Sequence, residues 1–183
     1  MLKINSLEFG LQPHQIYDAK VLFSKYHPFT RKGPSAALTF DWNDYGDLST
    51  GYIHKPITLE VEKICKLVKA RYDESYPNQF NNFFGCTLTK YAPGFELGVF
   101  RDMHDCVPYP ETGLVLIYSL GQRREMIIDR NGEDSVFLGN NSIVGVCGAT
   151  LNLEYAHSSP KLPADAKSEN RFSLEIRYSK TII

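Results

Sequence analysis

The chain has 183 residues, of which 43% are hydrophobic and 22% are charged. This composition supports an ordinary buried core and excludes a disordered or collagen-like chain. The formal net charge of −1 excludes bulk electrostatic attachment to nucleic acid or membrane, while a local basic patch stays compatible with it. No apolar run approaches the ~20 residues of a membrane-spanning helix, and the first residues do not resemble a signal peptide. We therefore expect one soluble, cytoplasmic domain spanning residues 1–183 without a membrane partner.

Two amphipathic helices are predicted in the first part of the chain. One runs from about Pro13 to Tyr26, and the other follows Pro56. The stretch between them, Thr30–Pro56, is rich in turn residues. The second helix has a stripe of apolar residues that we expect to pack on a sheet. That stripe consists of Ile57, Val61, Ile64, Cys65 and Val68.

From Phe83 onward the hydrophobic period changes to two, which is typical of strands. The predicted strands are Phe83–Tyr91, Phe95–Asp102, Leu114–Leu120, Glu125–Asp129, Ser142–Cys147, Ala149–Tyr155 and Phe172–Tyr178. Helices followed by strands predict an α+β fold, with helices on one face of an antiparallel sandwich or open barrel. We expect a helical, lid-like part over residues 1–79 and a strand-rich core over residues 80–183.

The four cysteines lie at wide, unequal spacings without a Cys-x-x-Cys pair. This pattern argues against a zinc ribbon, a redox motif or a disulfide scaffold. We expect most of them to be buried free thiols. They are Cys65, Cys86, Cys106 and Cys147.

A row of chemically active residues follows the second predicted strand. If that strand continues, alternation places Phe100, Asp102, His104 and Cys106 on one side. Asp102 and His104 could then bind one cation, with His157 as a third ligand. Two imidazoles and a carboxylate suit non-haem Fe(II). The alternative is that these histidines are ordinary strand-end residues.

The last predicted strand places Arg171, Ser173, Glu175 and Arg177 on one face. The two arginine backbones are separated by roughly 20 Å at the ordinary strand rise, and their side chains could lean inward. Arginine binds a carboxylate in a bidentate manner, so the pair could hold a small dicarboxylate. The alternative is a polar face exposed to water, with Glu175 pairing an arginine.

The segment from Phe80 to the end resembles the AlkB-like branch of the 2-oxoglutarate/Fe(II) dioxygenases. The motifs that carry the resemblance are Phe80-Asn81, Tyr91-Ala92-Pro93-Gly94, Ser119-Leu120-Gly121, His157 and Arg171-x5-Arg177, with a looser match at Gly51-Tyr52 and the Pro56 helix. The resemblance implies a double-stranded β-helix with Fe(II) and 2-oxoglutarate as cofactors. It also implies that Arg171 and Arg177 bind 2-oxoglutarate, assisted by Tyr91 and Ser173.

One position departs from the family pattern. The first metal-binding histidine of the family should stand at position 100, where this chain has Phe100. The run from Phe100 to Asp105 also resembles the His-Arg-Asp-x-His-Asn run of TET-type methylcytosine oxygenases, again with phenylalanine first. Three hypotheses follow: Fe(II) is bound by Asp102, His104 and His157, or by His104 with Cys106 replacing the aspartate, or the site has lost its metal.

The resemblance implies a dioxygenase that hydroxylates or demethylates a small substrate, with a modified nucleobase, nucleotide or nucleic acid as the first candidate. The alternative is a degenerate dioxygenase fold that acts as a binding or scaffold module. Basic residues are candidate phosphate contacts, although those near the first helix also fit a solvated helix end. They are Lys20, Lys25, Arg31, Lys32 and the Arg123-Arg124 pair, which is predicted to lie in a loop.

Overall fold

A computed structural model describes residues 3–25, 35–40, 53–55, 57–91, 97–100, 113–129, 134–147, 156–159 and 169–180. These ranges contain the helices α1 (Pro13–Lys25) and α2 (Leu59–Ser75). Their strands are β1 (Lys3–Leu7), β2 (Ser35–Phe40), β3 (Ile53–Lys55), β4 (Asn82–Tyr91), β5 (Leu97–Phe100), β6 (Leu114–Gly121), β7 (Arg124–Asp129), β8 (Asp134–Leu138), β9 (Ser142–Cys147), β10 (Ala156–Ser159) and β11 (Arg171–Ser179).

The strands form two sheets. The larger sheet has seven strands in the order β1-β9-β6-β11-β4-β2-β3, and the smaller has four in the order β5-β10-β7-β8. Neighbouring strands are antiparallel, apart from the parallel pair β2–β3. The order places β11 at the centre of the larger sheet, with β6 on one side and β4 on the other.

Both helices cover the outer face of the seven-stranded sheet. Helix α2 begins at the N-cap Thr58, whose Oγ1 accepts a hydrogen bond from the backbone N–H of Val61 at 3.4 Å. Four of the five residues of its predicted apolar stripe are buried against the sheet, as the helical spacing predicts, whereas Ile57 precedes the helix and is partly buried. Helix α1 contributes Ala19, Leu22 and Phe23 to the same core. The predicted helices and their packing are therefore confirmed over the described residues.

Two apolar cores lie on opposite faces of the larger sheet. The outer core joins the helices to one face of β4, β6, β9 and β11. The inner core joins β6 and β9 to β7 and β8 of the smaller sheet, through Val115, Ile117, Met126, Leu138, Val144 and Val146. Since the inner core contains side chains from both sheets, the sheets pack face to face, and the predicted barrel-like α+β architecture is confirmed.

A polar cluster fixes the beginning of β4 against α2. The buried Lys69 forms an ion pair with Asp73 and donates hydrogen bonds to Asn78 Oδ1 at 3.4 Å and Asn81 Oδ1 at 3.5 Å. These donors and acceptors satisfy each other, which is what a buried ammonium group requires. The cluster therefore holds the segment that leads into β4 in place.

The structure contains strands that periodicity did not predict. The turn-rich stretch Thr30–Pro56 includes β2 and β3, and β1, β8 and β10 are also additional. The predicted strand Ala149–Tyr155 lies outside the described residues. Of the predicted strand Phe95–Asp102 only Leu97–Phe100 lies within the described residues, and it is a strand there. The remaining predicted strands are present, with small differences at their ends.

Two of the four cysteines can be placed. Cys65 and Cys86 are buried free thiols, as expected. Cys106 lies outside the described residues, and only the backbone of Cys147 is described. Next to them, burial raises the pKa of the Tyr178 phenol, so this side chain stays neutral and hydrogen-bonds to the Cys65 carbonyl oxygen. In the described part of the chain, neither helix has the length and apolarity needed to cross a membrane.

Candidate functional site

Alternate residues of β11 face the space between the two sheets. Residues paired across a sheet share a face, and Leu174 pairs with Leu88 and Tyr118 of the outer core. The neighbours of Leu174 therefore face inward. We call this inward set the polar strip. It consists of Arg171, Ser173, Glu175 and Arg177 on β11, Thr87, Thr89 and Tyr91 on β4, and Ser119 on β6.

The position of the inner core shows what the polar strip faces. Val115 and Ile117 of β6 are the register partners of Arg177 and Glu175. Both pack against residues of the smaller sheet in the inner core. The strip is thus a polar lining beside the inner apolar core, on the wall of the larger sheet that faces the smaller one.

Three of the four β11 residues of the strip are buried, and Glu175 is partly buried. Arg171 is 5% exposed, Arg177 is 6% exposed and Ser173 is fully buried. The alternative of a polar face exposed to water is therefore wrong, although the predicted alternation of faces is confirmed. Transferring arginines from water to a protein interior is costly unless anionic or hydrogen-bonding partners compensate. A pair of buried arginines on one wall therefore requires compensating partners, either from the protein or from a bound anion.

Arg171 has contacts on two sides and an available donor on a third. Its Nη2 donates a hydrogen bond to Ser119 Oγ at 3.2 Å, and its guanidinium lies 4.9 Å from the centre of the Tyr91 ring. Its Nε and the Ser173 Oγ are buried and have no hydrogen-bond partner among the described residues. Two polar atoms that lie two residues apart on one strand face are therefore available to a ligand.

At the other end of the strip, the Nε of Arg177 is also buried without a hydrogen-bond partner among the described residues, but its guanidinium has an acidic neighbour. Arg177 Nη2 lies 3.8 Å from Glu175 Oε2, so these two side chains form an ion pair. Their side chains are 7% and 26% exposed, respectively, so the carboxylate lies closer to solvent than the guanidinium. Pairing of Glu175 with an arginine, one part of the alternative interpretation, is present, although it occurs in a buried setting.

The sequence analysis did not predict that a third arginine is buried. Arg124 was predicted to lie in a loop, but it is the first residue of β7 and is 5% exposed. Met126, two residues along the strand, belongs to the inner core, so Arg124 shares its inward face. The alternation of Arg124 with Met126 was the signal available in the sequence. Arg124 adds positive charge to the inner wall of the smaller sheet.

The proposed metal ligands are described only in part. Strand β10 pairs His157 with Phe100 of β5 on one side and with Ile128 of β7 on the other. The backbone at position 157 is therefore adjacent to the position where the resembling family has its first histidine. Asp102, His104 and Cys106 lie outside the described residues. Within the described ranges, no group of three or more His, Cys, Asp or Glu side chains could hold a metal ion.

The structure places only some of the candidate phosphate contacts. Lys25 is exposed and forms an ion pair with Glu60 at 2.6 Å, consistent with an ordinary solvated helix end. Arg123 is exposed, and its guanidinium lies 4.1 Å from the centre of the Phe137 ring. Lys20 is exposed on α1, whereas Arg31 and Lys32 lie outside the described residues.

Comparisons with known proteins support the fold. No protein-family model and no curated protein matches the chain. Among solved structures, OsALKBH1 matches with a TM-score of 0.68 and 18% identity, covering 95% of this chain and 97% of that one. A 2OG-Fe(II) oxygenase family oxidoreductase from Burkholderia pseudomallei matches with a TM-score of 0.64 and 12% identity, covering 96% and 84%.

A third similar solved structure contains bound ligands. HygX from Streptomyces hygroscopicus, with nickel, 2-oxoglutarate and hygromycin B bound, has a TM-score of 0.61 and 6% identity. The match covers 98% of this chain and 84% of HygX. At these identities the similarity concerns the backbone. The chain therefore has the double-stranded β-helix fold that is found in 2-oxoglutarate/Fe(II) oxygenases.

Proposed function

We propose that the chain is a 2-oxoglutarate- and Fe(II)-dependent oxygenase that hydroxylates or demethylates a small substrate. The observation that carries this proposal is the buried Arg171 with its neighbour Ser173 on the inner wall of the fold. Both side chains hold polar atoms without a hydrogen-bond partner in the described structure. A buried donor without a partner costs about 1–3 kcal/mol, and a bound carboxylate would remove this cost.

The residues of the polar strip fit a carboxylate co-substrate. Arg171 offers charged donors, and Ser173 offers a hydroxyl on the same face. Tyr91 places its ring against the Arg171 guanidinium, which restricts the directions in which that group can point. Arg177 adds positive charge at the far end of the strip. In our proposal, 2-oxoglutarate is bound by Arg171, Arg177, Tyr91 and Ser173.

The metal would be held by Asp102, His104 and His157. Support comes from the backbone pairing of His157 with position 100, because Asp102 and His104 follow that position within four residues. When bound, Fe(II) would supply an oxidation in which 2-oxoglutarate and O₂ are converted to succinate and carbon dioxide, with one oxygen atom entering succinate and the other the substrate C–H bond. The apolar inner core beside the strip limits the access of water to the space between the sheets.

The proposed substrate class follows from the resemblance to AlkB-like and TET-type enzymes. Both act on methylated nucleobases, so a modified base, free or within a nucleotide, is our first candidate. The exposed Arg123–Phe137 pair offers a cation beside an aromatic ring, which suits contact with a nucleotide at the surface.

An anaerobic titration tests the proposed centre. Adding Fe(II) and 2-oxoglutarate to the protein without oxygen should produce a weak charge-transfer absorption band in the visible region. We expect Asp102→Asn and His157→Ala to abolish the band and Cys106→Ser to retain it. If the band is lost in Cys106→Ser and retained in Asp102→Asn, the metal ligand is the Cys106 thiol and not the Asp102 carboxylate.

The same titration distinguishes an oxygenase from a binding module. The binding module is the second candidate function, because Phe100 stands where the first metal-binding histidine is expected. A folded protein that binds 2-oxoglutarate but gives no band with Fe(II) has kept the anion site and lost the metal. That outcome would refute the proposed oxygenase and support the binding module.

A further inference from the structure

Glu175 is an unusual residue for an anion-binding wall. It lies between Ser173 and Arg177 in the inward register of β11, so its carboxylate belongs to the polar strip. Its Oε2 is 3.8 Å from Arg177 Nη2. A carboxylate at this position repels an incoming carboxylate and attracts the same guanidinium that the ligand would use. Glu175 therefore affects which part of the strip can accept a ligand.

The two arginines of β11 have different surroundings. Arg171 has neutral neighbours, the Ser119 hydroxyl at 3.2 Å and the Tyr91 ring at 4.9 Å, and its Nε has no hydrogen-bond partner among the described residues. Arg177 has a buried Nε with the same lack of a hydrogen-bond partner among the described residues, but it also has an acidic neighbour within ion-pair distance. Since the formal charges of Arg177 and Glu175 cancel, the net positive charge of the β11 face lies at the Arg171 end.

We propose that Glu175 is a specificity-determining residue that makes the site asymmetric. Arg171, with Ser173, binds a ligand carboxylate directly, while Arg177 neutralises Glu175 and acts on the ligand only through it. The β11 face then accepts one carboxylate instead of two. This inference rests on the proposed binding of 2-oxoglutarate and changes the role of Arg177 within it.

A charge-pair rescue experiment tests the assignment. The dissociation constant of 2-oxoglutarate is measured by isothermal titration calorimetry in the presence of Mn²⁺, for wild type, Arg171→Gln, Arg177→Gln and Glu175→Gln/Arg177→Gln. We expect Arg171→Gln to weaken binding by about 30-fold or more, because it removes a buried charged contact. Arg177→Gln should weaken binding by about tenfold, because it leaves Glu175 unneutralised.

The double variant decides between direct and indirect roles of Arg177. In our assignment, removing Glu175 as well returns the dissociation constant to within about threefold of wild type, because the repelling charge is gone. If Arg177 instead binds the ligand itself, the double variant stays as weak as Arg177→Gln, and the inference is overturned. Glu125→Gln, which removes one negative charge from β7, controls for the change in net charge.

Glu175→Gln alone provides a second test that does not depend on the folding of the arginine variants. It should bind 2-oxoglutarate more tightly than wild type, because the repulsion between the Glu175 carboxylate and the ligand carboxylate disappears. Weaker binding would contradict the assignment. If folded wild type binds no 2-oxoglutarate, the proposed function itself fails; if wild type binds and the rescue fails, only the role given to Glu175 and Arg177 is wrong.

Discussion

At the scale of single residues, the polar strip contains side chains whose burial is energetically costly. Arg171 is almost fully buried and keeps a donor directed at no described acceptor. The sequence predicted that Arg171, Ser173, Glu175 and Arg177 share a face, because alternation is a local property of the strand. It could not predict their burial, because burial depends on the second sheet covering that face.

The hydroxyl of Ser173 gives a prediction at the same scale. Ser173→Ala removes a buried hydroxyl that has no hydrogen-bond partner among the described residues, so the free energy of unfolding should stay the same or rise by up to about 1 kcal/mol. The affinity for 2-oxoglutarate should fall about tenfold, because a hydrogen bond to a charged carboxylate is lost. Urea unfolding and calorimetric titration measure the two effects.

Ser142→Ala is the matched control. Ser142 is also a buried serine, but its Oγ donates a hydrogen bond to the Gly139 carbonyl at 2.9 Å. This variant should lose about 1 kcal/mol of stability and keep its affinity for 2-oxoglutarate. If Ser173→Ala behaves in the same way as Ser142→Ala, Ser173 has only a structural role.

At the scale of elements, the longest periodic segments were predictable, whereas five strands of three to six residues were not. Helix α2 and the strands β4, β6 and β11 each carry enough alternating or helical pattern to be recognised. Strands β1, β3 and β10 are 5, 3 and 4 residues long, so each contains too few residues to establish a period. Their strand identity is decided by distant partners, such as the pairing of Lys3 with Cys147.

The contact between α2 and the larger sheet depends on one glycine. A Cβ added to Gly145 of β9 would overlap the ring of Tyr72, which is buried on α2 and accepts a hydrogen bond from Asn5 at 2.9 Å. Gly145→Ala should therefore destabilise the protein by about 1–3 kcal/mol, because the helix must move away from the sheet. Chemical denaturation measures this loss.

Gly139→Ala is the control for the glycine prediction. A Cβ at Gly139 would have only ordinary contacts, the nearest at 3.7 Å with Ser142 Cβ. Its free energy of unfolding should lie within about 1 kcal/mol of wild type. Equal effects of the two substitutions would contradict the close helix–sheet contact at Gly145.

At the scale of the whole molecule, the site exists because two sheets face each other. The larger sheet brings β4, β11 and β6 together although they are separated along the chain, and the smaller sheet closes the inner face. Local periodicity gave the faces of these strands but not their order, since strand order depends on long-range pairing. The double-stranded β-helix was predicted from the motifs that resemble those of the AlkB-like family, and periodicity alone could not predict it.

The most direct test of the account is whether Arg171 binds the carboxylate of 2-oxoglutarate. At a concentration of 100 times the dissociation constant, a ligand stabilises the folded state by about 2.7 kcal/mol, which corresponds to a rise of about 5–10 °C in Tm for a domain of this size. We predict this rise for wild type and for Arg123→Gln, in which only an exposed arginine is changed. Arg171→Gln should unfold cooperatively with no more than about a third of that rise, because binding weakened by about 30-fold or more leaves at most ~0.9 kcal/mol of stabilisation at the same ligand concentration. A rise of equal size in folded Arg171→Gln, or none in folded wild type, would contradict the central claim.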